Sequence, residues 1–94
     1  MGTKNNPGSF DCYEAAHSDE PMFVLLARDP TAAPLVRIWA SVRSGDGLNA
    51  MLHFCELMRV CLPRYSAAPT ALAKRQEAVD CAQAMTTWKP ADVG

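Results

Sequence analysis

Four cysteines (Cys12, Cys55, Cys61, Cys81) and two histidines (His17, His53) offer the most versatile chemistry in this 94-residue chain. They are enough ligands for a zinc ion, but their spacing does not gather them. Tetrahedral zinc sites are seeded by close pairs such as Cys-x-x-Cys, and the chain contains none. His53 and Cys55 would face different directions on a helix, and Cys55 and Cys61 fall out of line with each other. A cysteine nucleophile needs a base in reach and an electropositive, part-exposed setting. Cys12 with His17 comes nearest to that, while Cys55, Cys61 and Cys81 fall on faces expected to be core. Nothing matches a nucleophile elbow, a phosphate-cradling glycine loop or a His-Glu-x-x-His helix, and Gly45-Asp46-Gly47 is a turn. The expectation is a protein that is not an enzyme, with no catalytic residue, no metal ligand set and no cofactor.

The totals narrow the partners. An apolar fraction of 49% with 20% charged residues describes a globular chain rather than a disordered one. The formal net charge of −1 supplies no global field for a polyanion, so nucleic acid is disfavoured. The arginines, with Lys74-Arg75, read as a solvated face. No apolar run reaches membrane-spanning length and Met1–Gly8 lacks a signal-peptide core, which places the protein in the bacterial cytoplasm as an expectation. The thiols are then expected to be reduced.

The elements that would position these residues read as helices. Residues 1–9 are expected to be a flexible tail, 10–89 a single helical domain, and 90–94 a disordered tail. Phe10–Ala16 suits a short helical turn. Asp19-Glu20-Pro21 reads as a helix start and Asp29-Pro30 as a stop, so the apolar run between them is expected to be a buried helix near 20–28. Thr31 is a candidate N-cap for the next helix, 32–43, where Leu35, Ile38, Trp39 and Val42 form an apolar stripe. Ser44-Gly45-Asp46-Gly47 ends it, and Asp46 can cap a third helix over 47–62, stopped by Pro63. A last helix is expected over 70–88, with Leu72, Val79 and Ala82, alongside Ala71, Ala78, Cys81, Met85 and Trp88, on one broad face. The fold class is all-α, a small bundle of about four helices centred on Trp39 and the Leu25/Leu26 pair.

The third helix is the oddity. It is apolar nearly all round, except for a stripe of Asn49, His53, Glu56 and Arg59. Such a helix is either surrounded by its own chain or covers a partner. The candidate interface is Phe54, Leu57, Met58 and Arg59, and gaining core by forming a homo-oligomer suits so small a domain. The same apolarity argues against a DNA-reading second helix.

Three stretches carry a resemblance: Phe10-Asp11-Cys12-Tyr13, Asp19-Glu20-Pro21-Met22-Phe23-Val24-Leu25-Leu26-Ala27-Arg28-Asp29, and Ala33-Pro34-Leu35-Val36-Arg37-Ile38-Trp39-Ala40. Together with Cys81-Ala82 and Trp88, they resemble short proteins encoded by tailed phages and prophages of proteobacteria, over roughly residues 5–42 and 78–88. Residues 44–69 carry no part of the likeness. The resemblance implies a phage setting and no catalytic residues to carry over. The function expected from it is a non-enzymatic accessory protein acting on a host or phage protein. An anti-CRISPR-like inhibitor that binds a host nuclease or CRISPR complex is the alternative, and a small zinc- or nucleic-acid-binding regulator the next.

Overall fold

The computed structural model describes residues 2–65 and 68–90. The chain is all-α, with four α-helices and no strand among the described residues. They are α1 (Cys12–Ala15), α2 (Ala32–Arg43), α3 (Gly47–Glu56) and α4 (Pro69–Thr87). The helix of α3 does not stop at Glu56. It widens into a single π turn, Leu57–Cys61, and closes with a 3₁₀ turn, Leu62–Arg64, that contains Pro63.

The chain divides into two compact units. The first joins the N-terminal segment through Phe23 to the chain from Glu77 onward. Asp11 caps α1 by accepting the N–H groups of Tyr13 (3.1 Å) and Glu14 (3.3 Å). On the α4 side, Ala78, Cys81, Ala84 and Trp88 are half-buried at helical spacing. The Cys81 thiol donates to the carbonyl of Met22 at 3.3 Å, and the rings of His17 and Trp88 pack with centroids 5.4 Å apart.

The helix expected near 20–28 does not form. The Glu20 carboxylate accepts the N–H of His17 (3.0 Å), and the Glu20 N–H returns to the His17 carbonyl (3.1 Å). The acid that was to start a helix therefore closes a turn behind it. Pro21 offers no donor, and the few residues left before Asp29-Pro30 are too few to nucleate a helix unaided. Residues 20–26 run irregularly, and Phe23, Val24 and Leu26 are exposed rather than central. Trp39, expected at the centre, is 58% exposed.

The second unit, Val24–Gln76, holds the best-defined element, an antiparallel hairpin of α2 and α3. Its entry is fixed by Asp29, whose carboxylate accepts from both the N–H (2.9 Å) and the hydroxyl (2.7 Å) of Thr31. Thr31 does occupy the N-cap position of α2, but its side chain caps nothing, because its hydroxyl is spent on Asp29. Pro34 sits in the first turn, where its missing N–H is no loss.

The turn between the helices is a Schellman motif. The Asp46 N–H bonds to the Ser41 carbonyl (2.9 Å), the Gly45 N–H to Val42 (3.1 Å), and Gly45 takes φ +74°. The Ser44 hydroxyl adds a second donor to the carbonyls of Ala40 (3.0 Å) and Ser41 (3.1 Å), which also accept the N–H groups of Ser44 and Asp46. Asp46 then caps α3 through the Asn49 N–H (3.1 Å) and side-chain amide (2.6 Å).

Candidate protein-binding face

The least exposed residues of the hairpin define its seam. Past Ala32 at the start of α2 they include Pro34, Ile38 and Ser41, and on α3 and the π turn Ala50, His53, Leu57 and Cys61, with Glu56 beside Leu57. Both sets step by three or four residues, as one line down a helix must. The seam is tightest at its open end, where Ala32 (5% exposed) and Cys61 (4% exposed) are buried and the Cys61 thiol reaches the Pro30 carbonyl at 3.5 Å. The π turn helps bring Cys61 there, four residues beyond Leu57.

Two of the four residues expected to form the polar stripe of the third helix, His53 and Glu56, are therefore partly covered by α2. Glu56 meets Arg37 across the hairpin at 3.6 Å, and His53 Nδ1 lies 3.9 Å from the same carboxylate group. Both contacts are part-exposed and add little stability, and the Arg37–Glu56 pair, which alone of the two crosses the hairpin, marks the side on which the helices meet.

That ion pair also locates the opposite side. Each residue advances an α-helix by about 100°. In an antiparallel pair, equal senses of rotation away from the seam lead to the same side. Arg37 and Glu56 lie on one sense, and they do meet. On the other sense lie Leu35, Trp39 and Val42 of α2, and Met51, Cys55, Met58 and Leu62 of the following helix. Leu48 stands at its margin. These side chains form one apolar face without a charged residue in it. They are well exposed, with Leu48 at 74%, Val42 at 63% and Met51 at 61%. The guanidinium of Arg43 lies 5.4 Å from the Trp39 ring centroid, forming part of the rim.

Of the four residues expected at an interface, Phe54, Met58 and Arg59 are exposed, and Leu57 turns into the seam. Met58 belongs to the apolar face, Phe54 lies between that face and the seam, and Arg59 lies at its far edge. Sequence reading missed the contribution of α2. Trp39 and Val42 had been assigned inward with Ile38 as a single stripe, although Ile38 alone lies on the seam.

The other chemistry-bearing residues stay apart. Cys12 is exposed on α1, while His17 packs on Trp88. Among the described residues no three His, Cys, Asp or Glu side chains converge as a metal site would require. An open cleft of about 760 Å³ in the second unit is bordered by Arg28, Asp29, Tyr65, Lys74 and Arg75. Its one carboxylate is held below the usual range by the N–H of Thr31, then its hydroxyl, with Lys74 adding to the effect. No helix among the described residues is long and apolar enough to cross a membrane.

Comparison with protein-family models, curated proteins and solved structures gives no match to this chain.

Proposed function

We propose that this chain is a non-enzymatic accessory protein that works by binding another protein through the apolar face of the α2–α3 hairpin. The resemblance of its Phe10–Tyr13, Asp19–Asp29 and Ala33–Ala40 stretches to short phage and prophage proteins supports a phage setting. The observation that carries the proposal is the continuity of that face: large apolar side chains from two helices, each more than a third exposed, with Arg37 and Glu56 paired on the other side and Arg43 at the rim over Trp39. Exposed apolar patches of this kind mark interaction surfaces in soluble proteins. Tyrosine and tryptophan anchors, adaptable methionines and an arginine rim are the usual composition of such a surface, and all but the tyrosine are present.

The test is affinity capture of the tagged full chain from a proteobacterial lysate, run beside a Met51→Lys variant that places a charge in the middle of the face. A partner retained by the wild type and lost by the variant supports the proposal. Identical eluates from the two would overturn it. A nuclease or CRISPR complex among the retained partners would select the anti-defence role.

A further inference from the structure

Building on the binding role proposed for this face, we infer that its occupant is a second copy of the same chain, so that two α2–α3 hairpins pack face to face as a four-helix arrangement. Size is the first argument. The face comprises seven large apolar side chains and Cys55, and with large side chains contributing roughly 150–200 Å² each and about half of that exposed, it offers on the order of 700 Å² per copy. A standard interface buries roughly 800 Å² per partner, so one copy of this face against another is enough for a specific dimer.

Length is the second. The apolar line on α3 and its π extension runs from Leu48 to Leu62, about 20 Å, and α2 with its 12 residues is about 18 Å long. One hairpin therefore spans another from end to end with little overhang.

Charge is the third. A two-fold interface sets a surface against itself, so any charge at its centre meets its own like. This face has none there; Arg37 and Glu56 are paired on the far side. The fourth argument is need. Within the described residues only Ala32, Pro34 and Cys61 are buried, a very small core for a chain of this length, and association is a common way for small domains to complete one.

Cys55 provides a reporter. It lies midway between Leu48 and Leu62 and is exposed in the single chain, as is Cys12, which lies outside the face. The experiment follows the mass of the full chain by sedimentation from about 1 to about 100 µM, and in parallel the iodoacetamide alkylation rates of Cys55 and Cys12 under reducing conditions. The expected result is a mass rising toward twice 10.2 kDa, with Cys55 alkylation slowing several-fold at the high end and Cys12 unchanged.

Met51→Lys should weaken association about tenfold or more, while Ala40→Lys, on the Arg37 side of the hairpin, should not. Both positions are exposed, and circular dichroism confirms that each variant keeps its helices. A chain that stays at one protomer mass throughout, with Cys55 alkylated at a concentration-independent rate, overturns the inference. So does association that Ala40→Lys weakens as much as Met51→Lys. If such a monomer still captures a host protein in a Met51-dependent way, the binding role stands and only the occupant is wrong. If it captures none, both fall.

Discussion

Gly45 gives the sharpest test of the hairpin, because its conformational and steric terms separate. It is the C′ residue of α2, at φ +74°, and a Cβ built there meets nothing within 4 Å. Replacement by alanine is therefore free of clashes, and its cost is the backbone term alone. Holding an L-residue in the left-handed region costs about 1–2 kcal/mol. Alanine also restricts the unfolded chain, returning about 0.4–1 kcal/mol. The net expectation for Gly45→Ala is a loss of about 1 kcal/mol, which in a chain this size lowers Tm by about 4–8 °C. Gly45→Asn should lose about half as much, since asparagine tolerates this region. A D-alanine introduced by ligation should stabilise, because its mirror-image preference fits and the entropy gain remains. Urea melts at one fixed protein concentration measure all three, the fixed concentration keeping any association term constant. If Gly45→Ala matches or exceeds the wild type, the Schellman turn is not what joins α2 to α3, and the common apolar face derived from that antiparallel geometry goes with it.

Two further predictions concern the ends of the elements. Asp29 and Asp46 both have pKa values lowered from 3.8 by the N–H groups they accept, Asp29 from Thr31 and Asp46 from Asn49. A lowered folded value means the stabilisation is fully present above 3.8 and is lost as pH falls below it through the folded value. Tm should thus hold down to about pH 4 and then drop, and the Asp29→Asn, Asp46→Asn pair should flatten that drop; an unchanged acid limb in the double variant would refute the assignment. In the other unit, the Trp88 indole N–H is enclosed with no acceptor among the described residues. An unsatisfied buried donor costs about 1–3 kcal/mol, so Trp88→Phe should offset its lost area and stay within about 1 kcal/mol of wild type by urea melt, and a loss above about 2 kcal/mol would mean the N–H has a partner.

The parts of the fold legible in the sequence were those fixed by local chemistry. Gly45 and Asp46 announced the α2–α3 turn, Pro63 the end of the helix that follows it, and the Phe10–Ala16 stretch a short helical turn. These signals act within four or five residues and need no tertiary context. The helix expected at 20–28 failed because the same residues support two local outcomes. Asp19-Glu20-Pro21 can cap a helix ahead of it, or Glu20 can reach back to the His17 N–H, and composition does not rank the two. The π turn at Leu57–Cys61 has no sequence signature either, since one widened turn alters the ring of hydrogen bonds and leaves the residue pattern alone.

The misassignment of Trp39 and Val42 came from a sound rule applied to the wrong face. An amphipathic helix normally packs its most apolar stripe inward, so polar residues of α3 such as His53 and Glu56 were expected to face solvent. The hairpin does the reverse: its seam is built from Pro34, Ser41, Ala50, His53 and Cys61, with Ile38 and Leu57 as the larger apolar members. Small and polar groups let the two helices approach and fix their register, but they bury little apolar area, and Arg37–Glu56 is too exposed to supply the difference. The face that would stabilise the hairpin most is the one it leaves uncovered. Holding α2 to α3 and the proposed covering of their apolar side thus fall to separate residues. Charges introduced on the apolar face should disrupt association and spare the hairpin, whereas changes at Gly45 or Cys61 should loosen the hairpin and weaken association as a consequence.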